Sequence, residues 1–280
     1  MKRIIAALLT TAITVSITAC GSQSAAGNTA SSDAGTSDTA SVSAGTSASE
    51  TAAAGASDKV YTIATDTTFA PFEFEDDNGN MVGIDLELLD AIAKDQGFKY
   101  ELEYVGFSAA VTALEAGEID GVIAGMSITD ERKQKYDFSD PYFDSGVAMA
   151  VLSDSDINSY DALKGKTVAV KMGTESETFA NSIKDKYGFE IKEFEDSATM
   201  YQDVLAGTSA AVFDDYPVLG YQISKGIGFK MPLSMEQGSS YGFATLKGAN
   251  PELVEMFDKG LADMKANGTY DKIINKYISK

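Results

Sequence analysis

The stretch "IAGMSITDERKQKYDFSDPYF", residues 123–143, contains one arginine, Arg132. It lies a few residues after Ser127, which carries a hydroxyl group. A guanidinium is a planar fork that can bind a carboxylate through two parallel hydrogen bonds. Ser127 follows the apolar run "GVIAG", and ligands of open α/β sheets bind where strands end. The stretch predicts an anion site at Arg132, while pairing with a neighbouring acidic residue on a solvated helix surface stays open as the alternative.

A second candidate anion site lies in "VKMGTESETF", residues 170–179, where a strand leaves through Gly173 and a helix begins. Thr174 and Glu177 have the spacing of a capping box. The first backbone N–H groups of such a helix can receive a carboxylate. The same spacing is also that of an ordinary helix cap, so the motif alone leaves both interpretations open.

Two adjacent carboxylates, Asp214 and Asp215, end the apolar strand "AAVF" just before Pro217. Paired carboxylates at a strand end can serve as catalytic acid and base, as metal ligands or as a receptor for an ammonium group. The chain has no histidine and no other dense acidic motif, which favours the ammonium receptor.

Three further residues follow predicted strands and are candidates to contact a ligand. Asp66 and Phe69 lie in "TDTTFAPF", and Phe107 lies in "GFSAAV". Because aromatic side chains dominate protein cores, a role in packing is the alternative for both phenylalanines.

The composition excludes several classes of function. The chain has 280 residues, no histidine, no tryptophan and one cysteine, so Ser/His and Cys/His triads, histidine-ligated zinc and an internal disulfide are ruled out. A formal net charge of -20 makes a nucleic-acid partner improbable. We expect no cofactor.

The N-terminus has the pattern of an exported protein. Lys2 and Arg3 precede an apolar run that is too short to span a bilayer, which predicts a signal peptide at residues 1–19. The run ends in "ITAC", which resembles the lipobox of bacterial lipoproteins and implies cleavage before Cys20 and lipidation of its thiol. Cleavage would change the net charge from -20 to -22.

Residues 20–57 continue from this cysteine almost entirely in Ser, Ala, Gly and Thr, without hydrophobic periodicity. Such a composition cannot bury a core. We interpret the segment as a disordered tether with a reach of about 35 Å.

The remaining chain alternates strands with helices. "VYTIATD", "YELEYV" and "DGVIAG" read as strands, and they are separated by helices that end at Gly97 and at Gly117, the second with Ser108 as its expected N-cap. A second series follows, with a strand at Thr167–Val170 and a weak internal repeat that aligns Gly117 with Gly207. This order predicts an α/β protein with mixed, mostly parallel sheets in two similar lobes.

Two C-terminal helices complete the pattern. The first begins with Asn250 and Pro251 and ends at Gly268, and "TYDKIINKYIS" follows it. We expect both to pack on the first lobe, so that the chain crosses between the lobes twice, as a hinge-closing ligand binder requires.

Five motifs in order resemble the polar amino-acid family of extracellular solute-binding proteins of ABC importers. They are "ATDTTFAPFEF", "VGIDLELLDAIA", "AGMSITDERKQKYDFSDPYFDSG", "AVKMGTESETF" and "NGTYDKI". The resemblance implies a two-lobed periplasmic-binding-protein-like fold of type II, closing on one amino acid, with hinge strands near Gly146–Val151 and Tyr241–Thr245. Lobe 1 would comprise residues 58–146 and 241–280, and lobe 2 residues 147–240.

The resemblance also implies roles for the candidate residues. Arg132 would bind the ligand α-carboxylate together with the N–H groups of Ser127 and Thr174. Asp215 would bind the α-ammonium group with the Gly125 carbonyl and the Ser127 hydroxyl.

The same family pattern places aromatic and charged residues around the ligand side chain. Phe69 and Phe107 would enclose its aliphatic part. Asp66 and Lys171 stand where glutamine-binding members have a carboxylate and an ammonium group, a pair that complements an amide.

Two departures bear on the choice of ligand. Asp214 stands where a glutamine-binding member has histidine, and Glu175 replaces a small residue. Both add negative charge, which keeps the basic amino acids lysine, arginine and histidine as the alternative and disfavours glutamate and aspartate.

The resulting prediction is a lipid-anchored, monomeric substrate-binding protein that delivers a polar L-amino acid, with glutamine favoured, to an ABC permease outside the cytoplasm. We expect no enzymatic activity. The alternatives of another class are a cyclohexadienyl-dehydratase-like enzyme and a sensor that reports ligand occupancy to a membrane partner.

Overall fold

The computed structural model describes residues 59–278. The predicted signal peptide, Cys20 and the predicted tether lie outside the described residues. The described residues belong to one compact unit. Among them, no helix combines the length and the apolar character that crossing a membrane demands.

Strands and helices alternate along this part of the chain. The described residues form these strands: β1 Val60–Thr65, β2 Thr68–Phe69, β3 Glu73–Glu75, β4 Met81–Val82, β5 Lys99–Tyr104, β6 Gly121–Val122, β7 Tyr136–Phe138, β8 Phe143–Leu152, β9 Thr167–Lys171, β10 Glu190–Phe194, β11 Ala211–Asp215, β12 Phe229–Lys230, β13 Glu236–Tyr241 and β14 Ala244–Leu246. They form these α-helices: α1 Ile84–Gln96, α2 Phe107–Ala116, α3 Arg132–Lys135, α4 Glu175–Tyr187, α5 Ser197–Leu205, α6 Tyr216–Ser224, α7 Pro251–Asn267 and α8 Thr269–Tyr277.

Lobe 1 is built on a mixed sheet with the strand order β5-β1-β6-β14-β7. β5 and β6 pair in parallel with β1, whereas β14 runs antiparallel to β6 and β7. The side chains of Tyr61 and Ile63 in β1 are buried, as the apolar alternation of this strand predicts. The ends of β1 and β6 lead directly into two of the candidate segments, the one at Asp66 and the one at Gly125.

Lobe 2 repeats this arrangement with the order β10-β9-β11-β8-β12, and β13 also pairs with β8. β10 and β11 pair in parallel with β9, while β8 runs antiparallel to its neighbours. β6 and β11 occupy equivalent third positions, in agreement with the repeat that aligns Gly117 with Gly207. The parallel pairing expected from the strand–helix alternation is thus confined to three strands at one side of each sheet, because β14 in lobe 1 and β8 in lobe 2 run antiparallel to the third strand.

Two neighbouring strands carry the chain between the lobes. β8 and β13 pair antiparallel, with Phe143 opposite Tyr241. β8 includes the predicted crossing at Gly146–Val151. The second crossing lies in β13, just ahead of the predicted Tyr241–Thr245, because Ala244–Leu246 already pairs with strands of the lobe 1 sheet.

One apolar cluster continues from lobe 1 through the crossing into lobe 2. At its centre the fully buried Tyr241 ring meets the Phe72 ring edge-on, with ring centroids 4.9 Å apart. The cluster extends to α1 and α7 in lobe 1 and to Met200 and Leu219 in lobe 2. The hinge is therefore part of the core.

The C-terminal helices pack on lobe 1, as predicted. α7 lies against α1, where a Cβ atom at Gly260 would approach the Ile92 side chain to 2.7 Å. Phe257 of α7 stacks on Phe243, with centroids 4.8 Å apart. The close packing of α7 on α1 explains why residue 260 is a glycine although it lies inside a helix, where glycine costs about 1 kcal/mol relative to alanine.

The N-cap predicted for α2 is wrong. The helix begins at Phe107 after Gly106, whose φ of 84° suits glycine, and no side chain caps it. Ser108 instead donates a hydrogen bond to Glu195 of lobe 2, with an Oγ–Oε2 distance of 3.2 Å. A residue interpreted as a local cap is in fact a contact between the lobes.

Gly83 joins the start of α1 to the loop that carries the aromatic residues. Its φ is +145°, and a Cβ atom there would lie 1.9 Å from the Phe72 carbonyl oxygen. Gly97 ends α1 with a φ of +75°, but a Cβ atom there meets nothing within 4 Å. Substitutions at the two glycines therefore distinguish the cost of backbone strain, which applies at both positions, from the cost of a steric clash, which applies only at Gly83.

We expect Gly97→Ala to lower the free energy of unfolding by about 1 kcal/mol through backbone strain alone. Gly83→Ala adds a clash with main-chain atoms and is expected to cost roughly 3 kcal/mol or more. Urea unfolding of both variants at neutral pH measures the difference. Equal losses in the two variants would contradict the packing described at Gly83.

Candidate functional site

A narrow cavity lies between the lobes at the ends of β1, β6, β9 and β11. Lobe 1 contributes seven of the lining residues and lobe 2 contributes four. They are Asp66, Phe69, Phe107, Ala124, Gly125, Ser127, Arg132, Lys171, Thr174, Glu175 and Asp215. Ten of the eleven candidate ligand-binding residues named from the sequence are therefore brought together. Ala124 joins them unpredicted, since a methyl side chain gives no chemical signal in a sequence.

Arg132 is the first residue of the short helix α3, and its guanidinium reaches across the cavity. Nη1 donates to the Ser127 carbonyl and Nη2 to the Gly173 carbonyl of lobe 2, both at 3.0 Å. Nε lies 3.4 Å from Glu175 Oε1. Burial lowers the pKa of Arg132, and the carboxylates of Glu175 and Asp215 oppose that shift. These contacts rule out the interpretation of Arg132 as one member of a solvated surface run.

Asp215 ends β11 and faces the cavity from lobe 2. Its Oδ2 accepts hydrogen bonds from the Tyr241 hydroxyl at 2.6 Å and the Ser145 hydroxyl at 3.4 Å, and Oδ1 accepts from the Ser176 hydroxyl at 3.1 Å. Burial raises the pKa of the Asp215 carboxyl, and the bonds from Tyr241 and Ser176 work against that rise. Its direct hydrogen-bond donors are neutral hydroxyl groups, and the charge of Arg132 across the cavity also works against the rise of its pKa without a direct ion pair.

Asp214 does not line the cavity, in contrast to what we expected from the sequence. Successive side chains of a strand point to opposite faces, so Asp214 faces away from Asp215. It accepts a hydrogen bond from the buried Tyr201 hydroxyl of α5, and its Oδ1 accepts from the Asp215 N–H at 2.8 Å. Burial and the neighbouring Asp215 carboxylate raise the pKa of Asp214 to about 7.

Asp66 and Lys171 form a buried ion pair between the lobes. Asp66 follows β1, Lys171 ends β9, and each is only 1% exposed. The Lys171 ammonium group also donates to Ser197 Oγ at 3.4 Å and lies 5.2 Å from the centre of the Phe69 ring. Both partners line the cavity, so its wall presents a carboxylate and an ammonium group side by side.

The start of α4 forms the lobe 2 rim. Thr174 is the N-cap, and its hydroxyl accepts from the Glu177 N–H at 3.2 Å, as the capping-box spacing predicts. The Glu177 carboxylate reaches one residue further back and accepts from the Gly173 N–H at 2.7 Å. The cap therefore fixes the loop whose Gly173 carbonyl contacts Arg132.

Aromatic rings form the remaining walls. Phe69 and Phe107 are each 5% exposed, and the Arg132 guanidinium lies 5.5 Å from the centre of the Phe107 ring. Gly125 passes close to Phe69: its φ is +54°, and a Cβ atom there would lie 2.4 Å from the ring. A side chain at Gly125 would thus fill the space that the rings enclose.

The lobes also touch beyond the cavity. The Ser197 N–H of lobe 2 donates to Thr68 Oγ1 of lobe 1 at 3.1 Å, and the Ser108 hydroxyl of lobe 1 donates to Glu195, two residues before Ser197. With Arg132 and the Asp66–Lys171 pair, these contacts hold the lobes together on several sides of the cavity. The arrangement is a closed cleft lined by charges of both signs.

The chain matches a known protein family over most of its length. Residues 61–280 match the bacterial extracellular solute-binding proteins, family 3. The arginine-binding extracellular protein ArtP of Bacillus subtilis is 31% identical over 284 residues, covering 100% of this chain and 99% of that protein.

Solved structures of amino-acid-binding proteins are also similar to this chain. An ancestral arginine-binding protein, solved with arginine and with glutamine, is 41% identical with a TM-score of 0.73 and covers 79% of this chain and 98% of its own. Substrate binding domain 2 of GlnP from Lactococcus lactis, in an open conformation, is 48% identical with a TM-score of 0.56 and covers 79% and 96%. A rotation between the lobes lowers the TM-score of two chains even when their sequence identity is high. The lower score against this open structure therefore fits the closed cleft of the present protein.

Asp214 gives this site a pH signature. Because its pKa is raised to about 7 in the folded protein, its contribution to stability is fully present below its unfolded pKa of about 3.9 and is lost as the pH rises through 7. We expect Asp214→Asn to gain stability relative to the wild type between pH 5 and pH 7, by at most about 1.4 kcal/mol per pH unit.

Urea unfolding at pH 5 and pH 8 measures this difference. Asp137→Asn is the matched control, because Lys247 holds the pKa of Asp137 below its usual range and its titration is complete below pH 5. A constant difference between Asp214→Asn and the wild type across this interval would contradict the raised pKa.

Proposed function

Since the chain belongs to family 3 of the bacterial extracellular solute-binding proteins, we propose that its solute is one free L-amino acid, with glutamine favoured, held between the lobes. One observation carries the proposal: Arg132 of lobe 1 and Asp215 of lobe 2 face the same cavity. A free amino acid carries one carboxylate and one ammonium group on the same carbon atom. The cavity offers a cation and an anion to match them.

The α-carboxylate is assigned to Arg132. Its three present contacts use three of the five N–H groups that a guanidinium offers, so donors remain for a carboxylate. The Ser127 and Thr174 main chains border the same part of the cavity. Glu175 lies against Nε, so the ligand carboxylate must share the guanidinium with this side chain or displace it.

The α-ammonium group is assigned to Asp215. This carboxylate is 6% exposed and its direct hydrogen-bond donors are neutral hydroxyl groups, so a ligand cation would supply an ion pair in direct contact. Gly125 and Ser127 border the cavity on the lobe 1 side and would supply the carbonyl and the hydroxyl acceptors.

The side chain of the ligand meets the Asp66–Lys171 pair. A carboxamide has both an acceptor and donors, so it can accept from Lys171 and donate to Asp66 without breaking their ion pair. A basic side chain would bring a second cation beside the Lys171 ammonium group, where little water screens the repulsion. This comparison favours glutamine.

Basic amino acids are the second candidate. The lining carries the three carboxylates of Asp66, Glu175 and Asp215 against the two cations of Arg132 and Lys171. This negative excess favours a ligand with an additional positive charge and disfavours glutamate and aspartate. The arginine-binding relative and the ancestral protein solved with both ligands support keeping this alternative.

The cellular role follows from the family. We infer that the protein works outside the cytoplasm as the binding component of an ABC importer, with a permease as its partner. The relatives described above are named as binding proteins, which supports transport over catalysis. Lipidation of Cys20 and the tether at residues 20–57 would keep the binding unit, which we propose is a monomer, near its permease.

Calorimetric titration with glutamine, arginine, lysine, histidine and glutamate tests the ligand assignment. We expect the strongest binding for glutamine and none for glutamate. Tighter binding of arginine or lysine would establish the second candidate, and no heat with any amino acid would refute the proposed function.

Arg132 can be tested against a neighbour in the same helix. Arg132→Ala removes the cation assigned to the α-carboxylate, so we expect glutamine affinity to fall by about 100-fold or more. Lys133→Ala removes an exposed cation paired with Asp130 and should leave the affinity unchanged. Equal affinities of the two variants would contradict the role of Arg132.

Lys171 can be tested by a change of specificity. Lys171→Met leaves Asp66 buried without its partner, so a basic ligand gains a countercharge and glutamine loses a donor. We expect the ratio of arginine to glutamine affinity to rise by about tenfold or more. Competition calorimetry measures the ratio, and Lys192→Met on β10, which removes an ion pair with Asp203, is the control. An unchanged ratio would remove Lys171 from the specificity argument.

A further inference from the structure

Two buried carboxyl groups, Glu73 and Asp85, lie behind the cavity and do not line it. Glu73 begins β3, Asp85 lies in the first turn of α1, and both side chains are fully buried. Burying an ionised carboxylate without a partner costs several kcal/mol. A pair of them needs a physical explanation.

Asp85 is satisfied on one side only. Its Oδ2 accepts hydrogen bonds from the Gly125 N–H at 2.8 Å and from the Tyr142 hydroxyl at 2.7 Å. Its Oδ1 is buried and has no donor. Asp85 therefore holds Gly125, a cavity residue with a positive φ, through one oxygen atom, and its second oxygen atom has no donor.

Glu73 is the second buried carboxyl group that lacks hydrogen-bond donors. Neither of its carboxyl oxygens has a donor among the described residues, although both are buried. The Asp85 N–H donates to the carbonyl of Phe72, the residue just before Glu73, and an interaction between the two carboxyl groups is, after burial, among the causes that raise the pKa of Glu73, while it opposes the rise in the pKa of Asp85. Two carboxylates have no proton to share, whereas a carboxylic acid beside a carboxylate has one O–H donor for the vacant oxygen.

The charges around Glu73 decide which group keeps the proton. Burial raises the pKa of Glu73 well above its usual range, Asp85 and Asp66 raise it further, and Lys171 lowers it. Burial raises the pKa of Asp85 to about 6, while the bonds from Tyr142, Gly125 and Glu73 oppose the rise. The balance leaves the proton on Glu73 and the negative charge on Asp85.

The backbone keeps the two groups in place. The Ile84 and Asp85 N–H groups donate to the Pro71 and Phe72 carbonyls, each at 3.0 Å. Gly83 packs directly on this same segment. The start of α1 is thus tied to the residues immediately before Glu73, so the two side chains cannot separate without breaking this link.

We propose that Glu73 is a neutral acid that donates its proton to Asp85 Oδ1, and so positions Gly125 in the cavity wall and leaves Lys171 to pair with Asp66. An ionised Glu73 would repel the Asp85 carboxylate and compete with Asp66 for the Lys171 ammonium group. Glu73 is a positioning residue, since it does not line the cavity. Only its effect on ligand binding rests on the proposed function.

Carboxyl NMR of the full chain, labelled with ¹³C at the glutamate side-chain carboxyl, tests the protonation directly. The signal that disappears in Glu73→Gln identifies the residue. We expect this signal to show a protonated acid at pH 7 and to stay constant while the other glutamates titrate. Titration of Glu73 near the usual glutamate value of about 4.3 would overturn the proposal.

The positioning role is tested by two variants of equal charge. Glu73→Gln keeps a donor for Asp85 Oδ1, whereas Glu73→Leu removes it and leaves the Asp85 oxygen unsatisfied. We expect the Gly125 N–H to exchange with solvent at the wild-type rate in Glu73→Gln and about tenfold faster or more in Glu73→Leu. Glu75→Leu, at the exposed end of the same strand, is the control and should match the wild type.

Glutamine affinity should follow the same order, with Glu73→Gln close to the wild type and Glu73→Leu weaker by about tenfold. Equal exchange rates in the two Glu73 variants would overturn the positioning role. If the wild type fails to bind glutamine, the proposed function fails, while the carboxyl signal and the Gly125 exchange rate still decide the present inference. If Glu73→Leu does not fold, the carboxyl signal and the behaviour of Glu73→Gln decide it.

Discussion

The buried ion pair between Asp66 and Lys171 joins the two lobes in the wall of the cavity, at the point where the proposed function places the ligand side chain. Removing one partner of such a pair leaves a buried charge without compensation and costs about 3–5 kcal/mol. Opening the cleft avoids part of that cost, because water can then reach both groups. The pair therefore stabilises a closed cleft only when its surroundings exclude water, and the rings of Phe69 and Phe107 provide that exclusion.

Both crossing strands of the hinge donate hydrogen bonds to Asp215 in the same cavity. Tyr241 ends the crossing strand β13, packs in the core that both lobes share and donates its hydroxyl to Asp215 at 2.6 Å. Ser145 of the other crossing strand donates to the same carboxylate. A rotation about the crossing strands must move these donors relative to Asp215, so the charge state of this carboxyl group and the angle between the lobes cannot vary independently.

Much of the fold and the cavity follows from local signals. The glycines that end α1 and α2, the strand periodicity and the charged residues at strand ends were sufficient to predict the alternation of strands and helices and to select Arg132 and the Asp214–Asp215 pair as candidates, while the family resemblance supplied the role of each. Asp214 shows the limit of such reasoning: both faces of β11 are apolar, so alternation separates Asp214 from Asp215 but does not say which of the two faces the cleft. The N-cap predicted at Ser108 was wrong because its hydroxyl bonds to Glu195 instead. Glu195 lies 87 residues away in the sequence, so no local pattern indicates this contact. Glu73 was missed because it lies between Phe72 and Phe74, where alternation would place a glutamate outside.

Closure and selectivity depend on the same contacts in this protein. In the closed cleft Arg132 already bonds the Gly173 carbonyl of the opposite lobe, and Lys171 already pairs with Asp66. A ligand stabilises the closed state only by its difference in affinity for the closed and the open forms. An amino acid whose side chain leaves the Asp66–Lys171 pair intact adds its own two charged contacts to those that hold the lobes together. One that displaces Lys171 must first replace an interaction between the lobes, so it favours closure by less even where its contact with Asp66 is strong.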